Sequence, residues 1–216
     1  MSIPPSLSPL VIINATQEDS HTLEIFLDYV CPFSAKMAKA IDGVLSPLLK
    51  SETESKFSGR VKVVFRPQVQ PWHASSTLTH EAALAMARVS PKYFWPFAQA
   101  LFEHQEEYFD IPSSNQTPVQ IRDSLAKLAN EVLKTSDGAS FAKKATEEFR
   151  DALQLKGSAN GGVAVTEDLK YTVKYSRQNG IHVSPTVIWD GIIANEVSSS
   201  WGLKEWKDFF AEKVKM

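Results

Sequence analysis

The residues best placed to do chemistry are Cys31-Pro32-Phe33-Ser34, at the point where an alternating strand gives way to a helix. A cysteine at the amino end of a helix lies in the positive field of the helix dipole, beside N–H groups that no helical carbonyl occupies. That arrangement favours thiolate over thiol. Pro32 suits the first helical position, because its φ is already helical and its missing N–H is not needed there. Ser34 follows one turn on, where its hydroxyl is able to donate to the sulfur as a second S–H would. It cannot resolve a mixed disulfide. Cys31 is the only cysteine in the chain, so an internal disulfide is excluded. The plainer alternative is that Cys31 is a small buried hydrophobe, as lone cysteines often are.

The other groups within reach of such a site are fewer. Ser184-Pro185 is an X-Pro bond, for which the cis form costs little because the amide is tertiary. Asp28, just before the cysteine, reads as an ordinary polar residue at a strand end, with proton acceptor beside the sulfur as the alternative. His73, in Pro71-Trp72-His73, falls in a loop that could reach the rim of the site, or is simply structural. His80, His104 and His182 show no paired ligand spacing, and His80-Glu81 lacks the second histidine of a zinc-protease motif, so no metal is expected. There is no glycine-rich phosphate loop, and no tightly bound cofactor is expected.

The elements that must hold these residues follow from periodicity. Leu23, Ile25 and Leu27 alternate with Glu24, Phe26 and Asp28, which predicts a strand from Thr22 to Tyr29-Val30, ahead of a helix to about Ser46. Arg60 to Arg66 predicts a second strand after a polar loop over 51–59, and strand, helix, strand implies a right-handed crossover between parallel strands. Residues 10–13 could add an edge strand behind a loose lead-in over 1–8. From 74 to about 180 the pattern is helical, with segments at 78–89, 93–108, 118–133, 141–155 and 167–178. Thr117, Pro118 and Gln120 spell a capping box, and Thr166 and Ser200 stand where further caps would. Thr186 to Val197, turning at Asp190-Gly191, reads as a hairpin, and a last helix presents Leu203, Trp206, Phe210 and Val214 on one face. The organisation is therefore 1–73 as βαβ, 74–180 as a helical insertion and 181–216 as ββα.

Composition sets limits on partners. The 216 residues suit one α/β domain with an insertion, and 43% hydrophobic with 22% charged residues is ordinary for a globular protein. A net charge of −2 lacks the basic excess that nucleic acids and anionic membranes attract, so neither is expected as a partner. No apolar run approaches a membrane span, and the start has no basic region followed by an apolar one. With a single cysteine, this predicts a cytoplasmic protein.

In order and spacing, several pieces together resemble the DsbA family of thioredoxin-like proteins over roughly Thr22 to Phe210. They are Asp28 to Ser34, Phe65-Arg66-Pro67 with Trp72-His73, His80-Glu81-Ala82-Ala83, Phe94-Trp95, Gly180 to Thr186 and Asp190-Gly191. The resemblance implies an α/β thioredoxin-like fold, βαβ…ββα, interrupted by a helical insertion of the DsbA type. It places the Ser184-Pro185 bond opposite Cys31, with the backbone of Ser184 turned outward to pair with an extended thiol ligand. Oxidoreductases of this family use Cys-x-x-Cys, and here Ser34 holds the second place. Kappa-class glutathione transferases and chromene-carboxylate isomerases, similar in fold, have serine where Cys31 stands and bind glutathione against the X-Pro backbone. The implied site is thus Cys31, Ser34 and Pro32 for catalysis, with Phe33, Ser184, Pro185 and His73 for substrate or glutathione. The implied function is thiol–disulfide exchange through one thiol, with glutathione as possible co-substrate. The partners are then thiols, disulfides or glutathione conjugates, and the protein a monomer or homodimer. The alternatives are a glutathione-dependent transferase or isomerase of the kappa type, and a non-catalytic binding protein.

Overall fold

A computed structural model describes residues 3–50 and 55–214. Positions 51–54 of the expected loop, and the first and last two residues of the outer segments, lie outside the described residues. Five strands, β1 (Val11–Ile13), β2 (His21–Leu27), β3 (Val61–Pro67), β4 (Thr186–Trp189) and β5 (Ile192–Ile193), form a sheet in the order β1-β3-β2-β4-β5. β2 and β3 run parallel, and every other pairing is antiparallel. The crossover between the parallel pair contains α1 (Pro32–Ala40), a wider π turn over Ile41–Leu45 and α2 (Ser46–Lys50).

Between β3 and β4 stand α3 (Ser76–Val89), α4 (Phe94–Glu103), α5 (Asp110–Ser113), α6 (Pro118–Asp137), α7 (Ala139–Ala152) and α8 (Thr166–Gln178). After β5 the last helix is α9 (Leu203–Lys213). The element order is the expected βαβ, helical insertion, ββα.

Because strand side chains alternate between faces, β2 serves two cores. Leu23, Ile25 and Leu27 join the main cluster with Phe65, Val187 and the Trp206–Phe210 face of α9. Phe26 packs with Ile181, Ile188 and Tyr175 in a smaller one. Glu24, two residues before Phe26, receives Arg66 Nε at 2.6 Å and the Tyr175 hydroxyl at 2.8 Å, with the guanidinium 4.2 Å from the Tyr175 ring centre. Both charges are buried, and each is partnered, which is what makes ionised groups tolerable there. Burial and the bond to Glu24 raise the pKa of Tyr175 well above the ordinary phenol value, so it remains a donor.

Several local expectations are corrected. The lead-in is not loose: Pro5–Leu10 forms a 3₁₀ turn that buries Leu7 and Leu10, whose spacing of three matches that helix. β2 stops at Leu27 rather than Val30, because Asp28 Oδ1 accepts from Val30 N–H and turns the chain. The segment expected as one helix over 93–108 breaks at His104, and α5 was not expected at all. Thr166 is inside α8 rather than capping it, with its hydroxyl accepting from Val163 N–H. Ser200 does not cap α9, where Gly202 N–H is taken by Glu205 Oε2 instead.

The Thr117 capping box is present in both directions: Gln120 N–H donates to Thr117 Oγ1 and Thr117 N–H to Gln120 Oε1. Thr117→Ala is therefore expected to lower stability by about 1 kcal/mol. Urea unfolding measures it, and an unchanged midpoint would show that the box does not hold α6.

Candidate functional site

Asp28 organises the site. Its side chain is fully buried at the end of β2, and its two oxygens accept from groups that arrive by different routes. Oδ1 takes Val30 N–H at 3.2 Å and Ser76 Oγ at 3.0 Å, while Oδ2 takes Gln70 N–H at 3.2 Å and His73 Nδ1 at 2.9 Å. Against a carboxylate acceptor, Nδ1 is the protonated ring nitrogen of His73. The backbone of Asp28 is used too: its N–H donates to Ser34 Oγ at 3.2 Å and its carbonyl accepts from Cys31 N–H at 3.1 Å. One residue thus joins the end of β2, the first turn of α1, the loop after β3 and the start of α3.

Cys31 caps α1, with Pro32 at the first helical position. Its side chain is buried but not sealed, at 4% exposure. Sγ donates to the carbonyl of Ser184 at 3.5 Å, and the Ser184–Pro185 peptide bond is cis. Gln105 Nε2 holds the turn from the other side, donating to Tyr29 O at 3.1 Å and Cys31 O at 3.4 Å. The expected bond from Ser34 to the sulfur is replaced: the buried Ser34 hydroxyl serves Asp28 N–H, and the thiol turns to Ser184. Ser184 N–H is also engaged, by Gln70 Oε1 at 3.0 Å.

Beside this lies a groove of about 430 Å³ lined by Val30, Pro32, His73, Tyr108, Ile111 and Pro112, among others. Ile111 of this lining is exposed, and so are Phe33, Trp72 and Val183, the chain neighbours of Pro32, His73 and Ser184. Lys36 Nζ stands 5.5 Å over the ring of Phe33. Beneath the turn, the ring of Tyr29 packs on Phe65, His80 and Phe102. Burial, with the nearby charge of Asp28, pushes the Tyr29 hydroxyl well above its usual pKa, so it is not a base for the thiol.

The sequence-selected residues come together in part. Cys31 meets Ser184 directly, Ser34 and His73 meet through Asp28, and Pro32 and His73 line the groove; Phe33 lies on the open face of α1. Sequence reasoning gave too little weight to Asp28, and passed over Gln70, Ser76 and Gln105. The available signal was a carboxylate directly following the apolar run Ile25-Phe26-Leu27. His80 is buried between the carbonyls of Ser76 and Leu27, a structural position.

The profile of the thioredoxin family matches residues 16–208. Among curated proteins, none matches the chain. Solved structures do. A provisionally assigned protein-disulfide isomerase from Pseudomonas syringae is 24% identical, with a TM-score of 0.68 over 94% of this chain and 98% of its own. The thiol-disulfide exchange protein alpha-DsbA2 from Wolbachia pipientis is 14% identical, with a TM-score of 0.58 over 93% and 85%. MdbA, a thiol-disulfide oxidoreductase from Corynebacterium diphtheriae, is 18% identical, with a TM-score of 0.57 over 94% and 90%. At these identities the likeness is one of fold: a thioredoxin fold with a helical insertion of the DsbA type.

Proposed function

Since the chain belongs to the thioredoxin family, we propose that it performs thiol–disulfide exchange through the single sulfur of Cys31, with glutathione completing the cycle. The observation that carries this reading is the position of Sγ, 3.5 Å from the Ser184 carbonyl beside Pro185 and at the amino end of α1.

In the first step the Cys31 sulfur attacks one sulfur of a disulfide R–S–S–R′. The S–S bond to Cys31 forms, the R–S–S–R′ bond breaks, and R′S⁻ leaves to take up the proton that Cys31 gave up. In the second, glutathione attacks the mixed disulfide, so that R leaves as the disulfide with glutathione, or as glutathione disulfide where R is itself glutathionyl. Cys31 is regenerated as a thiol. One cysteine suffices, because the external thiol does what a second cysteine would do. Ser34, Asp28 and Pro32 shape the turn that presents the sulfur, while Phe33, His73, Ser184 and Pro185 face the ligand. A reducing compartment, the cytoplasm, supplies the glutathione that such a cycle needs.

Glutathione disulfide is therefore expected to place a glutathionyl group on Cys31 of the folded protein, and reduced glutathione to remove it. Mass spectrometry follows both steps. Cys31→Ser is expected to take up none. A folded natural chain that remains unmodified while its urea-unfolded form reacts would sink the proposal.

The groove beside Cys31 favours one second reading, a kappa-type glutathione transferase or isomerase that holds an apolar co-substrate along Val30, Tyr108 and Ile111. It separates from the first by its product, a glutathione thioether or a rearranged co-substrate rather than a disulfide. An inert Cys31 with ligand still bound would instead leave a binding protein.

A further inference from the structure

The main chain of Ser184 is already occupied in the free protein. Its N–H donates to Gln70 Oε1 at 3.0 Å, and its carbonyl accepts from Cys31 Sγ at 3.5 Å. These are the two groups with which an extended ligand would pair beside the sulfur. Ser184 Oγ is buried as well and has no hydrogen-bond partner among the described residues.

Gln70 is buried in the irregular segment between β3 and α3, outside any helix or strand, and its carboxamide is held by Ser184 N–H on Oε1 and by a longer contact of 3.5 Å from Nε2 to His73 Nδ1. Its backbone is held independently, by N–H to Asp28 Oδ2 at 3.2 Å and by its carbonyl accepting from His73 N–H at 3.1 Å. A carboxamide is the side-chain group closest in chemistry to a peptide unit, with the same carbonyl acceptor and N–H donors.

We propose that Gln70 is a stand-in for the ligand's main chain: it satisfies Ser184 N–H while the site is free, and a peptide-like disulfide binds by exchanging its own carbonyl for the Gln70 carboxamide. This rests on the mixed-disulfide reading above and makes Gln70 a residue of selectivity rather than of chemistry. A ligand that carries an amide carbonyl replaces the hydrogen bond it displaces. One with no acceptor there cannot, because freeing Ser184 N–H would leave a buried donor unmade. The free site also holds ligands back, since the ligand-ready arrangement is reached only when Gln70 leaves.

Removing the Gln70 acceptor then has a sign that a mere strut would not show. In Gln70→Met the donor of Ser184 is unpaired in the free protein and is satisfied only by an incoming carbonyl, so amide-bearing ligands gain specifically. The test compares second-order rate constants for mixed-disulfide formation on the full chain with glutathione disulfide, which has peptide carbonyls, and with diethyl disulfide, which has no oxygen to accept a hydrogen bond. The ratio of the first constant to the second is expected to rise about three- to tenfold in Gln70→Met, the size of one net hydrogen bond. A ratio that stays level or falls, with both reagents reacting, overturns the stand-in role and leaves the exchange reading intact. If neither reagent reacts with either protein, the exchange reading falls and the stand-in falls with it. Gln70→Ala gives the same comparison should the methionine variant not fold.

Discussion

Ser34→Cys is expected to form a disulfide between positions 31 and 34 and to reduce insulin in the presence of dithiothreitol about a hundredfold faster than the natural chain, which should stay near background. Position 31 caps α1 and position 34 is one turn further on, so the two side chains belong to the same end of the helix. Resolution of the mixed disulfide would then be intramolecular, whereas the natural chain must wait for an external thiol. The replacement has a cost, because a sulfur accepts more weakly than the hydroxyl that now receives Asp28 N–H, and a loss of about 1 kcal/mol in stability is expected. Insulin turbidity and thiol counting measure the activity and the disulfide. A folded variant that does neither would show that Cys31 is not presented as an attacking sulfur.

Asp28→Ala is expected to destabilise the fold by about 3–5 kcal/mol, because several buried donors lose their acceptor at once and each costs about 1–3 kcal/mol when left unmade. The substitution takes away the acceptor of Val30 N–H, Gln70 N–H, Ser76 Oγ and His73 Nδ1 together, and so unties the turn after β2 from the segment that leads from β3 into α3. Asp28→Asn keeps the shape and one acceptor oxygen, but turns an NH₂ toward groups that are themselves donors, so an intermediate loss is expected. Guanidinium unfolding of the three proteins gives the comparison. An alanine variant within about 0.5 kcal/mol of the natural chain, the range of an indifferent surface change, would remove Asp28 from the centre of the site.

What could be read from the sequence was what is encoded over short distances. The alternation of β2 and β3, the Asp190-Gly191 turn and the Thr117 box each depend on neighbours within a few residues, and each is present, with β2 ending early at Leu27. The turn shows why: Asp190 and Gly191 have φ of 46° and 90°, the left-handed pair that joins two strands tightly. Thr166 and Ser200 misled because a capping residue type does not say which residue begins the helix. At α9 the bond came from Glu205, from within the helix, rather than from the serine before it.

Of the candidate site, the meeting of Cys31 with the Ser184-Pro185 pair was legible, because the chain marks it by a strand-to-helix change and an X-Pro pair. Asp28 was not, because its partners Gln70, His73 and Ser76 are 42, 45 and 48 residues away and meet it only through the parallel pairing of β2 with β3. Ser34 followed from the same ignorance. Without Asp28 N–H in view, the sulfur was the nearest partner to assign to its hydroxyl.

Gln105 Nε2 spans the carbonyls of Tyr29 and Cys31, Ser75 Oγ donates to Tyr108 O, and Ala74 N–H donates to Asp110 Oδ1. These bonds stitch the 105–110 segment to the cysteine turn and to the entry of α3. A clamshell swing of that segment away from the sulfur would strip all of them at once, two carbonyls of the cysteine turn included. The turn that carries the sulfur is thus tied to its surroundings through backbone groups, whereas Phe33, Trp72 and Ile111, which are exposed, are not packed into the core.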